Sequence, residues 1–131
     1  MPLLPSECTP FDYAAARRAI EERERKRKEA NKRLFEQATR DCEAIISMIK
    51  ERYNPKRIYQ WGSLLNKAKF DEMSDIDIAV EGLGPAEKFF ALYGDAEKMT
   101  DFSLDLVELE KVHPLDMDSI RLHGRLVYER E

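Results

Sequence analysis

The sequence predicts an α/β fold: a sheet covered by helices on one side, preceded by a long N-terminal helix. Three observations predict it. Residues 11–53 contain no Pro and no Gly and are rich in Ala, Glu, Lys and Arg, a helical composition. Short runs of strand type follow at Arg57–Trp61, Ile76–Glu81 and Leu104–Glu110. Helical segments separate the last of these runs, the pattern of an α/β sheet.

Residues 1–10 carry three prolines and read as an irregular arm, with Ser6 or Thr9 as cap of the helix that follows. In the long helix, Ala38, Cys42, Ile45, Ile46, Ile49 and Tyr53 recur at helical spacing and should pack on the domain. Arg17–Arg33 holds nine basic and four acidic residues with little that is apolar. That half reads as a solvated helix supported by i,i+4 ion pairs. Asn54-Pro55 ends the helix.

Beyond Trp61, Gly62-Ser63 closes the first strand and Leu64–Ala68 reads as a short helix. After the second strand, Gly82 and Gly84 bracket a turn, and Pro85 opens a helix to about Tyr93. After the third, a helix starts at Pro114 or Asp116 and ends at His123. Gly124 then sits where a C-cap wants a positive φ. Arg125–Tyr128 reads as a short edge strand. Trp61, Phe89, Phe90 and Tyr93 read as core, and Glu108 and Glu110 as solvent-facing. Residues 1–54 are thus an arm and a helix, and 55–131 the sheet domain, packed as one unit from about residue 38.

Composition narrows the function classes. Formal net charge is −4 over 131 residues, which gives no overall pull toward nucleic acid or anionic membrane. Acidic residues interrupt the basic stretch and no aromatic interleaves with it, which argues against a nucleic-acid surface. Cys8 and Cys42 lack metal-type spacing. No signal peptide or membrane span is legible, so the expectation is a cytoplasmic protein.

The informative stretch is Ser74-Asp75-Ile76-Asp77-Ile78. Side chains alternate along a strand, so Ile76, Ile78 and Val80 share one face while Asp75, Asp77 and Ala79 share the other. The two aspartate Cα atoms would stand ~7 Å apart. Neighbouring negative charges repel, and a cation between them relieves this. Asp105, in Leu104-Asp105-Leu106, repeats the pattern and joins the pair if the strands are neighbours. Three carboxylates with open positions suit Mg²⁺. Two such ions can activate a hydroxyl nucleophile and stabilise a leaving pyrophosphate. Gly62 lets phosphate approach the backbone, and Ser63 adds a hydroxyl and an N–H at a helix start.

Gly62-Ser63, a spacer, Ser74-Asp75-Ile76-Asp77-Ile78 and then Asp105-Leu106-Val107 resemble the nucleotidyltransferase superfamily of polymerase-β type. The chain length resembles its minimal branch. The resemblance covers residues 56–130 and implies a nucleotidyltransferase fold, a small mixed sheet with helices packed on one face. It implies Mg²⁺-dependent transfer of a nucleoside monophosphate, AMP from ATP, to a hydroxyl. It makes Asp75, Asp77 and Asp105 the metal ligands, Asp105 also the base for the acceptor hydroxyl, and Gly62 and Ser63 the triphosphate site. In the minimal branch the enzyme is often the antitoxin of a helical HEPN-type toxin, so such a protein is the implied partner, with a second copy of the chain as another. The spacer Leu64–Ser74 is one residue longer than the family's usual one. Leu64 stands where an Arg is common, and Lys67 or Lys69 would have to replace it. The alternative is therefore a non-catalytic module of the same fold that binds a helical protein.

Overall fold

The computed structural model describes residues 11–131; the proline-rich arm, with Ser6, Cys8 and Thr9, lies outside them. The chain divides into two compact units between Ala30 and Asn31.

Helix α1 spans Tyr13–Arg52. Its cap is Asp12, whose Oδ1 accepts from the Ala15 N–H at 2.9 Å, satisfying one of the free N–H groups of the first turn. In the first unit the charged side chains stand in water, and Arg25 donates to Glu22 and Glu29 across one helical turn. Such exposed pairs contribute little each.

In the second unit, α1 ends at Arg52 and the chain turns away at Asn54, which takes φ 41°. Asn54 Oδ1 then accepts from the Tyr128 hydroxyl, which fixes the helix end to the last strand. The strands are β1 (Arg57–Trp61), β2 (Ile76–Glu81), β3 (Leu104–Glu108) and β4 (Arg125–Glu129), in the spatial order β3-β2-β1-β4. β1 pairs antiparallel with β2 and β4, whereas β2 and β3 are parallel. The parallel pair needs a crossover, and α2 (Ala86–Glu97) provides it, with Pro85 as its N-cap residue.

Ile58, Ile76, Ile78, Val80 and Leu106 meet Ala38, Cys42, Ile45 and Ile49 of α1 and Leu92 and Ala96 of α2 in the main core. The expected helical layer on one face is therefore present. α3 (Pro114–His123) adds a smaller cover on the opposite face, where Ile120 packs with Tyr59, Ala79 and Leu109.

Several local expectations are corrected. The short helix after Ser63 is two 3-10 turns, Ser63–Leu65 and Lys67–Lys69, divided by Asn66. Asn66 Oδ1 accepts from the Ala68 N–H and so starts the second turn afresh. β3 stops at Glu108, and Leu109–Lys111 is a 3-10 turn. Glu108 is buried rather than solvent-facing, because the Lys111 ammonium covers it at 2.7 Å. Phe90 is 71% exposed; two residues before buried Leu92 on a helix, it faces away from the core. Gly124 has φ −78°, not a positive value. It is glycine for want of space, since a Cβ would stand 2.4 Å from the Ile120 carbonyl oxygen and 3.1 Å from that of Gln60.

Candidate functional site

Strand directions gather the sequence-predicted residues at one end of the sheet. Because β1 and β2 are antiparallel, the last residue of β1, Trp61, pairs with Asp77. Because β2 and β3 are parallel and in register, Asp77 pairs with Asp105. Asp75 lies just before β2, half-buried, and is delivered by a turn the sequence reading did not single out. In that turn Ser74 N–H donates to the Asp71 carbonyl at 3.1 Å and Asp71 N–H donates to Ser74 Oγ at 3.0 Å. The Ile76 N–H then donates to the Ser103 carbonyl at 2.9 Å, which locks the start of β2 to β3.

Asp77 is the buried member, 9% exposed, while Asp105 is open to solvent. Burial, then the charges of Asp105 and Asp75, then a hydrogen bond with Asp105 push the Asp77 carboxyl up to about 7. Two of these causes are charge crowding, which a bound cation would reverse.

Gly62 adopts φ 81°, a left-handed conformation that side chains avoid. A Cβ there would fall 2.0 Å from Asp77 Oδ2. The Gly62 backbone therefore lies against the Asp77 carboxylate, and no larger residue fits without moving it. Ser63 follows, half-buried, and opens the first 3-10 turn. A turn of three residues carries too few aligned peptides for the helix-start dipole expected there. What remains is the hydroxyl and the backbone N–H. Leu64 is 3% exposed and belongs to the core, whereas Lys67 and Lys69 stand exposed on the second turn. One more basic side chain belongs to this sheet end: Arg125, which donates from Nη2 to Gln60 Oε1 at 3.1 Å.

The structure thus pairs Asp77 with Asp105, sets Gly62 against Asp77 and leaves Asp75 at the edge of the pair. Among the described residues no three His, Cys, Asp or Glu side chains converge as a metal-binding group. Mutual repulsion is a physical reason for like charges to stay apart. The oxygen donors nevertheless fit a hard cation such as Mg²⁺, which takes one or two carboxylates and keeps waters.

A cleft of about 290 Å³ opens beside Asp105, lined by Trp61, Val107, Val112, Asp116, Ser119 and Ile120. Sequence reasoning missed Asp116 and Ser119 as lining residues. No spacing links them to the aspartates, because α3 reaches this face only through the tertiary fold. Cys42 is a buried thiol pushed up to about 12, chiefly by burial, and is therefore unreactive. Among the described residues no helix is long and apolar enough to cross a membrane.

Comparison with known proteins bears on this arrangement. The family described as Polymerase beta, Nucleotidyltransferase matches residues 43–131. A crystal structure of a toxin-antitoxin with AMP-PNP is similar in fold, with a TM-score of 0.55 and 24% sequence identity, over 68% of this chain and 74% of that one. A search of curated proteins finds no match.

Proposed function

We propose that this chain, which belongs to the polymerase β nucleotidyltransferase family, transfers AMP from ATP to a hydroxyl acceptor with Mg²⁺, as the cytoplasmic antitoxin of a toxin–antitoxin pair. The observation that carries the chemistry is the Asp77–Asp105 register pair with the Gly62 backbone against Asp77. The toxin–antitoxin setting is supported by the similar structure, which holds both kinds of protein and a nucleotide analogue. A helical protein of HEPN type is the partner this reading implies.

Asp75, Asp77 and Asp105 would hold the metal, two ions when fully loaded. Bound Mg²⁺ supplies activation of the acceptor hydroxyl and charge stabilisation for the departing pyrophosphate. Gly62 and Ser63 would hold the triphosphate, the glycine by leaving room and the serine by donating. Asp105, the exposed carboxylate, would take the acceptor proton as the acceptor oxygen bonds to the α-phosphorus. The bond from that phosphorus to the bridging oxygen then breaks and pyrophosphate leaves.

One observation favours a second reading, a non-catalytic module that binds a helical protein. Leu64, where the family commonly has Arg, is a core residue and offers no charge to phosphate. A single experiment separates the two. ATP and a non-hydrolysable analogue are titrated calorimetrically, with and without Mg²⁺, into the wild type and Asp75→Asn/Asp77→Asn. Mg²⁺-dependent binding that the double variant loses is the expected result. Undiminished binding by the variant would overturn the metal assignment, and no binding by the wild type would favour the module.

A further inference from the structure

The cleft beside Asp105 has a composition that the transfer chemistry does not use. Its walls are an indole and three aliphatic side chains, Trp61, Val107, Val112 and Ile120, and its added polar groups are Asp116 and Ser119. Apolar and polar groups share this lining about equally, so it offers both a surface for a flat ring and groups to orient it; about 290 Å³ is just under the usual small-molecule range of ~300–1,000 Å³. Asp116 enters no ion pair among the described residues.

We infer that this cleft receives the purine base of the nucleotide, and that Asp116 and Ser119 select a base with an exocyclic amine. The inference rests on the nucleotidyltransferase reading above. Asp105 lines the cleft and pairs with Asp77, so the cleft begins at the carboxylates proposed to hold the metal, beside which the α-phosphorus would react. The base of a nucleotide lies one ribose from that phosphate. A flat ring fits against the Trp61 indole, since every base has a face to stack on an aromatic side chain. An ionised carboxylate only accepts hydrogen bonds, and the serine hydroxyl both donates and accepts. Asp116 thus pairs with an amine, and Ser119 with a ring nitrogen. A base with a carbonyl in place of the amine sets two acceptors face to face.

Trp61 is the chain's single tryptophan, so its emission reports on the cleft directly. The full chain is titrated with ATP, ITP and tripolyphosphate, each with Mg²⁺, following heat and Trp61 fluorescence. ITP keeps the purine ring but carries a carbonyl where ATP has its amine. The expected result is ATP binding on the order of tenfold tighter than ITP, with altered Trp61 emission. Asp116→Asn, which can donate as well as accept, should collapse that ratio. Asp116 is exposed, and circular dichroism confirms that the variant folds. Equal binding of ATP and ITP by the wild type overturns the selection by Asp116. ATP binding no tighter than tripolyphosphate, with unmoved emission, removes the base from the cleft while leaving the phosphate site standing. Failure of both ATP and tripolyphosphate to bind overturns the underlying reading as well.

Discussion

The two faces of β2 carry opposite chemistry. On one face Ile76, Ile78 and Val80 are fully buried against α1 and α2. On the other, one residue out of step, Asp77 lies among carboxylates while Ala79 packs with Tyr59 and Ile120. The same six-residue strand anchors the core and holds the candidate chemistry. The packed face fixes the register, and a slip of one residue would exchange the two sets. The polar face uses that precision to hold charges that the fold would otherwise disfavour.

Substitutions on the two faces should therefore separate activity from stability. The largest effect is expected for Asp77→Asn, which should reduce Mg²⁺-dependent nucleotidyl transfer on the order of a thousandfold without unfolding the protein. Retained turnover beside an unchanged circular dichroism spectrum would remove Asp77 from the chemistry. On the packed face, Ile78→Ala should cost about 2–4 kcal/mol, read as a lower urea midpoint at unchanged slope. A loss well under 1 kcal/mol would mean that the helical layer does not clamp β2 as described.

Next comes Gly62→Ala, which adds a Cβ at φ 81° and into Asp77 Oδ2. The expected destabilisation is about 1–3 kcal/mol, with loss of Mg–ATP binding in titration. Normal binding by this variant would show that the backbone approach to Asp77 is dispensable.

Burial and the neighbouring carboxylates push Asp77 up to about 7 in the folded chain, from its ordinary 3.8 in the unfolded one. The folded state thus binds the extra proton, and its stability falls as pH rises between those values. Asp77→Asn should abolish that fall, with a gain of a few degrees in melting temperature at pH 8 and little at pH 4. A wild-type melting temperature flat from pH 4 to 8 would contradict the crowding. The smallest effect is expected for Arg25→Ala in the solvated part of α1, within about 0.5 kcal/mol in chemical denaturation.

Alternation makes the candidate site legible in the sequence. Asp75, Asp77 and Asp105 stand out because strands disfavour Asp and because both runs place their apolar residues on the other face. Composition alone marked α1, and Asn54-Pro55 marked its end. What stayed hidden depends on neighbours distant in sequence. Glu108 is buried because Lys111 returns over it in a 3-10 turn. Gly124 owes its identity to the Gln60 and Ile120 carbonyls, so a local rule about positive φ misreads it. Phe90 reads as core on its type, whereas helical phase decides its exposure. The Asp116–Ser119 wall belongs to a helix whose docking face its weak apolar pattern does not announce.

β2 and β3 run parallel in a sheet whose other pairings are antiparallel. A hairpin could have set two carboxylates side by side within a few microseconds of chain motion. Asp77 and Asp105 instead meet only after α2 has closed a long loop between them, a slow, non-local event. The site is thus a late product of folding. A chain still leaving the ribosome, or one cut within the crossover, can carry all the aspartates and a formed β1–β2 hairpin yet have no site. On the proposed reading, Mg–ATP binding would appear during refolding only when the whole domain is complete.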